Sequence, residues 1–250
     1  AKIPLLLGIE LGEDVGNVWT PFGRHAVALT GYSLGLANPV GYPPTGFLSR
    51  ASRIDKLYGH DDQVGPFARM PLIPANGRLA TQWPKRANPG TGNADASPVM
   101  LLVPLYHKIR IPFEEIQSTA VQLDSIIEVM RGSGNLPLGS RLEWDIFLTT
   151  VNEVKTDWFL SQMPPNAREA HLTQALPKHL WRVIAREQAQ DHLDLLFDAT
   201  DIAQGKLFVA GLDKVGTVAV ALRAFAQAAA PTANLLPSVR AVLEYFSASP

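Results

Sequence analysis

Cysteine is missing from all 250 residues. Its absence excludes a disulfide scaffold, a cysteine-ligated zinc site and, within these residues, a thiol nucleophile. It is compatible with any cellular compartment. A dominant charge is missing too: 22 Lys+Arg stand against 23 Asp+Glu, a formal net charge of −1. No basic field draws in nucleic acid or an anionic lipid surface, and the basic residues are dispersed rather than arrayed in a stripe. No apolar run approaches the ~18 residues of a membrane-spanning helix. No glycine-rich loop fits a P-loop or a dinucleotide fingerprint, no repeat is visible, and no cofactor is expected. The opening AKIPLLLGIEL lacks a basic leader and a small-residue cleavage site, so it reads as a buried strand rather than a signal peptide. It starts without Met or a leading loop, and the expectation is a domain that begins upstream.

What is present is an ordinary globular mixture, 46% apolar and 18% charged. Strand-like segments are 3–9, 25–32, 52–60, 99–111, 141–151, 179–187, 193–198 and 206–212. GEDVGNVWTPFG reads as a loop between the first two. Residues 71–98, rich in Pro, Gly and Asn, read as a linker or excursion. Pro112 opens a helix whose apolar positions Phe113, Ile116, Ala120, Leu123, Ile127 and Met130 keep helical spacing, with Glu114 and Glu115 at its positive end. Further helices are expected over 166–175, 215–229 and 235–247. Strands follow one another without regular crossover helices, so the class is α+β with mostly antiparallel strands. The expected division is 1–98 and 99–250, the second region packed on the first because three strands cannot bury both faces alone. Trp144, Trp158 and Trp181 are expected in the core.

Two segments carry candidate chemistry. In Gly23-Arg24-His25-Ala26-Val27-Ala28-Leu29-Thr30-Gly31-Tyr32, a His opens an apolar strand after a glycine loop, which puts an imidazole at the mouth of a rigid sheet. In Tyr58-Gly59-His60-Asp61-Asp62, two carboxylates end the following strand, where one can fix the tautomer of His25. His60-Asp61-Asp62 has no second ligand cluster at a telling spacing, so no metal site is expected. Asp198-Ala199-Thr200-Asp201 reads as a turn, His107 as a core histidine, and His171, His179 and His192 are scattered.

HAVALTGY resembles the histidine strand of papain-like cysteine peptidases, closest to the bacteriocin-processing (double-glycine leader) peptidase-like group. IPLLLGIEL resembles the strand before it, and LYGHDD the strand that ends in the orienting acid. The resemblance covers residues 3–70. It implies a papain-like antiparallel sheet, the His/Asp half of the fold, with His25 as general base, Asp61 as orienting acid and Asp62 as the alternative. It implies a peptide or protein substrate. The family's nucleophilic cysteine lies upstream of the histidine, and here only Thr20 carries a hydroxyl before His25. The resemblance therefore implies either a thiol supplied by a segment preceding these residues, or a non-catalytic module that binds peptides or proteins on the same scaffold. From this chain by itself no turnover is expected.

Overall fold

The computed structural model describes residues 4–87, 89–200, 207–228 and 234–248. The architecture is mixed α+β, and the chain divides into two compact units. One comprises Lys2–Asn38 and Ala51–Leu105, the other Pro39–Arg50 and Tyr106–Pro250. The break expected at 98/99 is thus displaced: 99–105 belong to the first unit, and a short stretch from its middle belongs to the second.

The first unit is a closed antiparallel barrel rather than an open sheet. Its strands are β1 (Leu5–Val15), β2 (Val18–Leu34), β5 (Ile54–Asp61), β6 (Gly65–Ile73), β7 (Arg78–Pro84) and β8 (Asn93–Leu102), paired in that order and closed by β8 on β1. Between β2 and β5 the chain makes β3 (Gly41–Tyr42) and β4 (Phe47–Ser49), which join the second unit. Alternation sorts the barrel's faces. Leu7, Ile9 and Leu11 of β1, Val27 and Leu29 of β2, Met70 of β6, Leu79 and Trp83 of β7, and Ala94 and Ala96 of β8 fill the interior. Space inside is tight: a Cβ at Gly59 would stand 3.0 Å from the mobile end of Met70, Cε.

Two loop expectations are corrected here. The stretch 12–23 is a hairpin, because Gly16 and Asn17 both take positive φ (58° and 66°) and form a tight two-residue turn whose twist suits the flanking strands. The stretch 71–98 is not a linker but contains β7 and most of β8. Its three Gly lie in the connections, while Pro71, Pro84 and Pro98 stand within strands and Leu79, Thr81 and Trp83 keep a strand's period of two.

The second unit is a six-stranded sheet of order β12-β11-β10-β9-β4-β3. Its long strands are β9 (Glu143–Thr150), β10 (His179–Glu187), β11 (Gln190–Asp198) and β12 (Phe208–Asp213), all antiparallel, with β4 parallel to β9. Odd-numbered residues of β10 and β11, such as Trp181, Val183, Leu195 and Phe197, pack with α1 (Phe113–Gly132), α4 (Thr217–Ala228) and α5 (Pro237–Ala248). Leu180, Leu196 and Ala210 pack on the other face with Val154 and Trp158 of α2 (Val151–Leu160). A short α3 (Pro165–Thr173) follows. Strand 99–111 is shorter than expected: it ends at Leu102, and His107 is exposed beside Tyr106. α2 answers to Thr-Val-Asn-Glu: Thr150 caps the backbone N–H of Glu153, and Glu153 accepts from Thr150 N–H at 3.0 Å, a reciprocal capping box.

The donated hairpin is a structural part of this sheet. Phe47 is fully buried and stacks on Trp144 with ring centroids 6.0 Å apart. Arg141 Nη2 donates to Thr45 O at 2.9 Å, and Gly46, at φ +72°, leaves no room for a Cβ beside that guanidinium. Arg141 also bonds the buried Asp124, whose other oxygen accepts from Trp144 Nε1 at 2.8 Å. Burial raises the Asp124 pKa, and the bonds from Arg141 and Trp144 oppose it.

Candidate functional site

The candidate site lies at one end of the barrel interior. β1 and β2 pair Leu5 with Leu29, Leu7 with Val27 and Ile9 with His25. His25 therefore continues the inward row of Val27 and Leu29, one step nearer the rim. On β5 the inward row is Leu57, Gly59 and Asp61, while His60 turns outward, exposed, with its ring 4.9 Å from Phe67. Alternation thus separates His60 from the carboxylate beside it and sends Asp61 toward His25.

The two meet directly, with His25 Nε2 2.5 Å from Asp61 Oδ2. The Asp61 side chain is completely buried and that of His25 is 17% exposed. Asp61 is held from its other side as well: Oδ1 accepts from the backbone N–H groups of Gln63 and Val64 at 2.8 and 2.7 Å. These bonds form the turn between β5 and β6, so the loop that ends the strand also fixes the carboxylate. An ionised carboxylate only accepts hydrogen bonds; paired with one, a neutral imidazole donates from Nε2 and keeps its lone pair on Nδ1. Among the described residues, Nδ1 has no hydrogen-bond partner.

Trp83 supplies a wall the sequence reading missed. Its ring stands edge-on to His25 at 5.3 Å, and its Nε1 donates to Gln63 Oε1 at 3.2 Å. Gln63 thereby ties the wall to the turn that holds Asp61. The available signal was the Leu79-Thr81-Trp83 alternation inside a stretch that composition marks as linker. Asp62, the alternative orienting acid, is 81% exposed with Oδ1 3.4 Å from His25 Nε2. His25, Asp61 and Asp62 each offer a ligand atom, all within 4.8 Å of one another, so this trio could hold a metal ion.

The other sequence candidates do not join this site. Thr20 is exposed, and its hydroxyl donates to Val18 O at 3.3 Å. Asp198 Oδ1 accepts from Thr200 N and Oγ1, both at 2.7 Å, and closes a turn; Asp201 lies outside the described residues. The His171 ring lies 5.2 Å from that of Trp158, and His179 5.0 Å from Tyr106. Burial lowers the pKa of both histidines. His192 is buried in the second unit, 3.7 Å from Glu187. Trp144, Trp158 and Trp181 are core residues as expected. No protein-family model, curated protein or solved structure matches this chain.

Proposed function

We propose that the barrel is the proton-transfer half of a papain-like thiol hydrolase acting on peptide bonds, with His25 as general base and Asp61 as orienting acid. The observation that carries this reading is the Asp61–His25 contact at 2.5 Å, with the carboxylate buried and its second oxygen tied down. A fixed carboxylate sets the ring's orientation and tautomer and stabilises the imidazolium formed when the base takes a proton. In the proposed cycle a thiol from outside these 250 residues passes its proton to His25 Nδ1 and attacks the amide carbonyl. The tetrahedral intermediate expels the amine, which takes the proton from His25. Water, deprotonated by the same nitrogen, then attacks the acyl thioester, releasing the acid and a thiolate that takes the proton back from His25.

The experiment supplies the thiol. The 250-residue chain is mixed with 2-mercaptoethanol and a p-nitrophenyl ester, and thiolysis is followed against the thiol alone. The expected result is an acceleration of at least about 10²-fold, the low end of general-base catalysis, that His25→Ala removes. Without added thiol no peptide is hydrolysed. Equal rates for the chain and His25→Ala would overturn the reading.

A second reading rests on Asp62. A divalent cation on His25 Nε2, Asp61 and Asp62 would occupy the nitrogen that otherwise bonds Asp61, so the two readings exclude each other. Zn²⁺ titration separates them. A thermal stabilisation that Asp62→Asn abolishes favours the metal, and none favours the dyad.

A further inference from the structure

The last turn of the barrel wall leaves a strand edge open. β8 pairs with β7 only from Asn93 to Ala96, opposite Pro84, Ala80 and Leu79. Its continuation from Pro98 to Leu102 pairs with β1 alone, up to Leu6 opposite Leu102. Among the described residues nothing pairs with the other edge of that continuation. Its side chains are apolar on both faces: Val99, Met100, Leu101, Leu102 and Val103 are each 48–54% exposed. Natural proteins blunt such edges with charge or cover them. This one carries no charged residue between Asp95 and Lys108.

The sequence of the edge is self-matching. Pro98-Val99-Met100-Leu101-Leu102-Val103-Pro104 reads nearly the same in both directions about Leu101. We propose that this edge is an interface with a second copy of the same chain, the two strands pairing antiparallel about a two-fold axis at Leu101. In that register Val99 faces the second copy's Val103, Met100 its Leu102, and Leu101 its own counterpart. A two-fold contact requires such self-complementarity, because every residue meets its symmetry mate's surroundings. Antiparallel ladders alternate between bonded and non-bonded pairs. Pairing with β1 passes over Val99, with Gly8 opposite Met100 and Ile9 opposite Pro98, so the strand is regular only from Met100 onward and the core of the proposed ladder is Met100–Leu102. Pro98 and Pro104 end the ladder, so the contact closes as a dimer instead of extending.

The open stretch is bounded on both sides: from Asn93 to Ala96 the same edge is taken by β7, and past Leu105 the chain turns, with Ile109 N–H donating to Tyr106 O. A ladder of this length, about 20–25 Å, buries less than the ~1,200 Å² of a stable interface, so association should depend on concentration.

The test is sedimentation velocity on the full chain from about 1 to 500 µM, a range that spans weak association. The expected result is a monomer–dimer equilibrium. Leu101→Lys sets two like charges on the axis and should weaken association at least about tenfold with an unchanged unfolding midpoint, since the site is half-exposed. Leu101→Cys introduces the chain's sole thiol and should give a disulfide-linked dimer on mild oxidation. Val18→Cys, at the exposed β1–β2 turn, should not. A monomer at every concentration, a dimer indifferent to Leu101→Lys, or equal cross-linking at both positions would each overturn the proposal.

Discussion

The barrel and the sheet unit each bury a carboxylate against a nitrogen base, and the two arrangements differ in what is left over. In the sheet unit Arg182 donates through Nε and Nη2 to both oxygens of Asp194, at 2.9 and 2.8 Å, and through Nη1 to Asp157 at 2.5 Å. Burial works to lower the Arg182 pKa, but its two carboxylate partners outweigh that and hold it above its ordinary value. Such a cluster has no free valence for chemistry. In the barrel, Asp61 is as fully engaged as Asp194, but its partner is a ring with a second nitrogen, and that nitrogen is open. A buried ion cluster in which each guanidinium nitrogen meets a carboxylate is a structural device. A buried carboxylate that orients a ring with one unused nitrogen is the arrangement on which the proposed proton transfer rests.

The largest effect should come from breaking the closed cluster. Asp194→Ala leaves Arg182 buried with only the half-exposed Asp157, and should cost about 3–5 kcal/mol by urea denaturation. A loss under about 1 kcal/mol would mean that the guanidinium finds other partners, and the contrast between the regions would fail. Phe47→Ala should rank next, at about 3 kcal/mol, because it opens a cavity against Trp144. A null result there would show that the donated hairpin is dispensable to the sheet.

Asp61→Ala should cost less, about 1–3 kcal/mol, mainly for the two backbone N–H groups it leaves unpaired. His25→Ala should shift stability least of all, and both variants should abolish the thiolysis rate. If His25→Ala destabilises as much as Asp194→Ala, the dyad is a structural cluster like the other.

The smallest expected effect is a pH dependence from the second unit. Burial lowers the folded-state pKa of His171 and His179 below the ordinary value of 6.5. The unfolded chain then binds more protons than the fold as pH falls through 6.5, so stability declines on acidification from that point. Replacing both histidines by Gln should flatten this slope in urea titrations between pH 7 and about pH 5. An unchanged slope would assign it to other groups.

How much of this was legible depended on side-chain size at inward positions. Strands 25–32, 179–187 and 193–198 advertise themselves through dense Val, Leu, Ile and aromatic residues. β7 and the first half of β8 do not, because a narrow barrel takes Thr81, Ala94 and Ala96 inside, and the Pro and Gly scattered through 71–98 mask the period of two. The capping box of Thr150 and Glu153 was readable as a T-x-x-E signature, yet the apolar run before it masks the change from strand to helix. The transfer of Pro39–Arg50 to the other unit was not readable at all, since the pairing of Leu48 with Glu143 spans most of a hundred residues. At the candidate site, the strand-ending position of Asp61 was visible, whereas His25, expected at the start of a strand, lies in the middle of β2 because the hairpin before it lengthens that strand back to Val18. Trp83 and Gln63 were not, because they reach the site through a strand that composition disguises.

The central claim is that Asp61 fixes the protonation pattern of His25, and long-range ¹H–¹⁵N correlation of the histidine side chains tests it most directly. With the ring neutral, Nε2 should carry the proton and Nδ1 should resonate as the unprotonated nitrogen, and Asp61→Ala should erase that preference. A wild-type His25 protonated at Nδ1, or one whose tautomer ignores Asp61→Ala, would contradict the account.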